Sequence, residues 1–153
     1  MRGAPLLTGA AARSEITWYD DDTFDRGLRA YITAVARALG VGAESTTVDT
    51  TAPASAYLAL DGTLPVYPGR ELALLWDEGH GWSAAVETAS GEDLVVIRHL
   101  DPAHGAVPAP RVLARFVEAL RMGRPVGRTD PPDLSGLDRR HVGERLAELY
   151  LDR

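Results

Sequence analysis

Asp77, Glu78 and His80 stand within four positions of one another in the run Trp76-Asp-Glu-Gly-His-Gly-Trp82. Two carboxylates and an imidazole so close could exchange protons or hold a cation, because histidine titrates near neutrality. The plainer reading is a hairpin tip, which is polar and glycine-rich for conformational reasons. Tryptophans at the ends of strands serve as core or interface anchors. Trp76, Asp77, Glu78, His80 and Trp82 are therefore the expected ligand- or partner-binding residues. Arg70, which follows Pro68-Gly69, joins them as a guanidinium able to clamp a carboxylate or phosphate.

Two further groups are weaker. His99, Asp101 and His104 could supply metal ligands, but their spacing matches no zinc signature. Glu87, Glu92 and Asp93 flank the turn Ser90-Gly91, and the long run of oxygen ligands that a calcium loop needs is missing. No metal and no cofactor is expected.

Other chemistry is excluded by composition. The chain has no cysteine, so it has no thiolate nucleophile, disulfide or thiolate-held zinc. All 16 basic residues are arginine, which removes Schiff-base and P-loop lysines. Asparagine and glutamine are absent too, so no carboxamide can complete an oxyanion hole. There is no Gly-x-Ser-x-Gly elbow and no Gly-x-Gly-x-x-Gly loop.

The formal net charge of −6, with arginines scattered among acids, argues against a nucleic-acid partner. No apolar run approaches the roughly 18 residues of a membrane span. The first 15 residues lack the apolar stretch of a signal peptide, and a cytoplasmic location is expected.

The elements that must position these residues follow from periodicity. Phe24, Leu28, Tyr31, Ile32, Val35 and Leu39 recur at helical spacing, with Asp22 as the expected N-cap and Gly40 as the stop. Residues 41–55 read as a loop with a short extended stretch at Thr46–Val48. Ala56–Leu60, Leu72–Trp76, Trp82–Thr88 and Leu94–Ile97 read as strands, the last three as an antiparallel meander. Leu72–Trp76 and Leu94–Ile97 are apolar on both faces, which suggests cover on both. Pro110 opens a second helix carrying Leu113, Phe116 and Val117. A third helix is expected after a capping box beginning at Ser135, with a stripe of Val142, Leu146, Leu149 and Tyr150.

The words LALLWDE, GHGW, ET and SGEDL between Leu72 and Leu94 resemble a family of uncharacterised actinobacterial domains of unknown function. The likeness extends more loosely from about Tyr57 to Leu120. The family implies no activity, cofactor or site residue that can be carried over.

The expected architecture is a single α+β domain: a leading helix, a mostly antiparallel sheet of about four strands, and two C-terminal helices packed on it. The chain divides into a flexible N-terminal tail (1–22), an α+β core (23–122), a Pro/Gly linker (123–134) and a C-terminal helix (135–153). The expected function is a non-catalytic binding or regulatory module acting through protein or small-ligand contacts, with a homodimer as its state. The C-terminal stripe would contribute to that dimer, since a short amphipathic helix must dock somewhere. One alternative is a small metal-dependent or acid–base enzyme using Asp77, Glu78, His80 and His99. Another is an immunity or antitoxin-like protein whose acidic surface covers a basic partner.

Overall fold

The computed structural model describes residues 21–134, 136 and 138–151. The expected tail lies outside them except for Asp21 and Asp22, which begin the first helix. That helix, α1, spans Asp21–Leu39. Asp22 is thus inside the first turn, where its carboxylate pairs with Arg26 at 3.2 Å instead of capping.

Five strands follow: β1 (Thr46–Asp49), β2 (Ser55–Leu60), β3 (Leu72–Asp77), β4 (Gly81–Glu87) and β5 (Leu94–His99). They form one antiparallel sheet in the order β1-β2-β3-β4-β5, so each strand pairs with its sequence neighbours. Among the described residues the sheet has one strand more than the four expected. The extended stretch at Thr46 is a true edge strand, paired Thr46 to Leu58 and Asp49 to Ser55. Its polar sequence gives little hydrophobic pattern, and the backbone ladder with β2 holds it.

Register decides which side chains meet. Leu58, Leu74 and Ala84 lie side by side across β2, β3 and β4, and Trp76 lies opposite Trp82. All five are buried, together with Leu60, Leu72 and Val86. The face they share is covered by α1, whose Phe24, Leu28, Tyr31, Ile32 and Val35 belong to the same core. Helix α2 (Pro110–Arg121) adds Leu113, Phe116 and Val117.

Helix α3 (Arg139–Tyr150) is capped by Asp138, whose side chain accepts from the amide of Arg140; the expected cap Ser135 lies outside the described residues. The helix packs on α1 of its own chain. A Cβ at Gly27 would meet Leu146 Cβ at 3.0 Å, a tight contact, so glycine lets α1 and α3 approach this closely without a shift of Leu146. Val142 and Leu146 are buried, and the Tyr150 ring lies 5.3 Å from that of Tyr31. The stripe is covered within the chain.

Segment 123–134, which reads as a linker, is fastened at two places. Arg128 exchanges both backbone hydrogen bonds with His99, at 2.8 and 2.9 Å. Leu134 donates its amide to the carbonyl of Gly79 in the β3–β4 turn at 2.8 Å. Gly127 has φ +67°, and a Cβ there would lie 2.3 Å from the carbonyl oxygen of His99. No other residue fits beside β5 at that point.

One reading is corrected. Leu94, Val95 and Val96 were expected under cover and are 39%, 49% and 41% exposed. β5 is an edge strand, so it lacks the second neighbour that buries an apolar run such as Leu72–Trp76.

Candidate functional site

The β3–β4 turn gathers most of the expected site residues, and its hydrogen bonds show what they do. Asp77 Oδ1 accepts from the amides of Gly79 and His80, each at 2.8 Å. The same oxygen lies 3.1 Å from His80 Nδ1. Asp77 thereby closes the turn as an Asx motif and orients the imidazole. Glu78 points elsewhere. Its Oε1 accepts the amide of Ala54 at 2.6 Å and pairs with the Arg139 guanidinium. Arg139 also donates to the carbonyl of Thr50 at 3.0 Å and stacks over the Phe24 ring, 3.8 Å from its centroid. Glu78 therefore ties the sheet to the start of α3.

Trp76 and Trp82 are core residues, 3% and 1% exposed, and their rings are not presented to a partner. The Trp82 indole N–H donates to Tyr31 Oη at 3.0 Å, whereas Trp76 Nε1 is buried with no hydrogen-bond partner. Arg70 lies two residues before β3, at the end of the strand opposite the turn. Its guanidinium sits 5.9 Å from the Tyr67 ring centroid. The structure does not bring Arg70 to the other site residues.

It does bring His99 to them. The end of β5 pairs with Ser83, next to the turn, so His99 feels both His80 and Asp77. Burial holds its imidazole below the usual histidine range, and the charges of His80 and Arg128 push the same way. Asp77 and Asp130 oppose them. His99 Nδ1 is buried without a hydrogen-bond partner. The arrangement can hold a neutral imidazole beside an Asp–His pair. Sequence reasoning missed Arg128, Asp130 and Arg139, which reach the turn only through the path of 123–134; Gly127 was the one local signal of that path.

Among the described residues, no three histidine, aspartate or glutamate side chains converge as metal ligands. Asp101 instead caps a short 3-10 turn, Pro102–His104, by accepting from Ala103. Glu87 Oε1 accepts the amide of Glu71 at 3.2 Å. A cleft of about 510 Å³ opens beside the 3-10 turn, lined by His104, Val107, Leu134, His141 and Arg145 among others. Asp77, Glu78 and His80 do not line it.

The two edges of the sheet differ in chemistry. β1 is four residues long and polar, with Thr47 and Asp49 exposed. Such an edge resists pairing. β5 shows three consecutive exposed aliphatic residues, and its outer edge is unpaired from Leu94 to Ile97 among the described residues. Long apolar edges of this kind are templates for another strand.

Sheet order and helical cover define an α+β domain, with one antiparallel sheet whose β5 edge is apolar and open among the described residues. The chain belongs to the family of unknown function DUF6292, whose model matches residues 31–119, from the middle of α1 to near the end of α2. No curated protein matches the chain. No solved structure matches it either. Among the described residues no helix is long and apolar enough to cross a membrane.

Proposed function

We propose that the chain is a non-catalytic binding or regulatory module of the cytoplasm whose working surface is the outer edge of β5. The observation that carries this reading is the exposure of Leu94, Val95 and Val96 on an edge strand. These side chains keep about half their surface in water, so cover by a partner recovers about half of the roughly 1.5–3 kcal/mol that full burial of each is worth. The turn residues support the same reading, since Asp77 and Glu78 are engaged in holding the fold.

The test is a photo-crosslinking amino acid placed at position 96 of the full chain in its native host, with position 47 on the opposite edge as control. Adducts are expected from position 96 and not from position 47. Equal yields, or none from position 96, overturn the reading.

A second reading keeps the acid–base enzyme, with His99 as base and the Asp77–His80 pair as its partner. The neutral imidazole with an unpartnered Nδ1 favours it. Selective ethoxycarbonylation of His99 by diethyl pyrocarbonate, faster than that of exposed His104, would support it. Equal or slower reaction would remove it.

A further inference from the structure

Resting on the reading of β5 as the working surface, we infer that its occupant is the β5 strand of a second copy of this chain, paired antiparallel about a two-fold axis near Val95. Three observations converge on that arrangement.

The first is the direction of the main chain. Asp93 accepts from the amide of Thr88, so it turns toward β4, and the register of the β4–β5 ladder shifts only beyond Val96, between Ala84 and Ala85. Val95 pairs with Val86 of β4. In an antiparallel strand the intervening residues turn the other way. Leu94 and Val96 therefore point their N–H and C=O groups outward. About an axis at Val95, Leu94 faces Val96 of the second copy and Val96 faces its Leu94, which closes hydrogen-bonded pairs on both sides.

The second is the limit of the ladder. His99 also turns outward, and Arg128 already occupies it with two hydrogen bonds. A long partner strand cannot run past this point. A strand that stops at the same place fits, and an antiparallel copy of β5 offers one. Its approach is isologous, so the same short segment serves on both chains.

The third is charge. Glu92 and Asp93 precede the exposed aliphatic residues, and Arg98 follows them. Antiparallel pairing sets the acidic start of each strand against the basic end of the other, twice in the dimer. Parallel pairing would set acid against acid and base against base, which is unfavourable. The apolar centre and oppositely charged ends are thus self-complementary in one orientation. β1, polar and ending in Asp49, has no such pattern.

The experiment is sedimentation velocity on the full chain from low to tens of micromolar, with Val96→Glu, Glu92→Arg, Arg98→Glu and the double Glu92→Arg/Arg98→Glu. A monomer–dimer equilibrium is expected for the native chain. Val96→Glu should abolish the dimer, and each single charge reversal should weaken it by about tenfold. The double reversal should restore most of the loss, because it re-forms both pairs with signs exchanged. Val96 and Glu92 are exposed, so at the lowest concentration, where the native chain is monomeric, their variants should keep its thermal midpoint, which guards against loss of fold. A native monomer at tens of micromolar overturns the inference, as does a dimer that Val96→Glu and the charge reversals leave unchanged. A monomer whose position 96 still cross-links another protein overturns the second copy alone. A monomer with no adduct removes the binding-edge reading as well.

Discussion

The indole N–H of Trp82 donates to the hydroxyl of Tyr31 at 3.0 Å, and that hydroxyl donates in turn to the carbonyl of Pro108 at 2.6 Å. One chain of hydrogen bonds thus joins the centre of the sheet, the middle of α1 and the approach to α2. Burial pushes the Tyr31 phenol far above its ordinary range, so it stays a neutral donor at any physiological pH. Tyr31→Phe leaves the indole N–H and the carbonyl of Pro108 without this partner. The expected loss is about 2–4 kcal/mol, since each buried unsatisfied group costs about 1–3 kcal/mol. A urea midpoint unchanged from the native protein would show that water replaces the hydroxyl.

Leu74 is fully buried between Leu58 and Ala84 in the central strand, beneath α1. Leu74→Ala should cost about 2–5 kcal/mol through lost burial and the cavity left behind. Chemical denaturation with a common slope measures it. Val95→Ala on the open edge serves as the contrast, and its monomer should lose under about 1 kcal/mol. Equal losses would mean that β5 is covered in the monomer.

Arg139 fastens the start of α3 through Glu78, Thr50 and Phe24. Its side chain and that of Glu78 are largely sheltered, 28% and 15% exposed. Arg139→Ala should destabilise the fold by about 1.5–3 kcal/mol, the range for hydrogen bonds to charged groups. Hydrogen exchange should show faster opening of α3 than of the sheet. Uniform acceleration across the chain would instead mean that α3 opens only with global unfolding.

His99 predicts a pH dependence of known sign. Its folded-state pKa is lowered, so the unfolded chain binds its proton more readily. The stabilisation from its neutral form is full above the ordinary histidine pKa. It is lost as pH falls through that range toward the lower folded value. Thermal midpoints recorded between about pH 7.5 and 5 should fall with acidification, and His99→Gln should flatten the slope. A variant with the native slope would assign the effect to the other histidines.

The amino-acid pattern by itself determined α1, the meander and α2, because each is a local repeat of apolar residues bounded by glycine or proline. Phe24 to Leu39 can bury one stripe only as a helix, and Trp82, Ala84 and Val86 can share one face only as a strand. The pattern also marked the Asp77–His80 turn. Tertiary structure decided what each of these pieces faces. Leu72–Trp76 and Leu94–Ile97 are alike as apolar runs, yet the first lies between β2 and β4 while the second ends the sheet. No local spacing records how many neighbours a strand will have. The segment 123–134 reads as a linker because its composition lacks periodicity, and it is held by two backbone contacts that carry no side-chain signature. His99 joins the turn only because β5 returns beside β4, and Glu78 leaves it because Arg139 arrives from 61 residues away. Those meetings depend on chain topology, and the side chains record them only after the fold has closed.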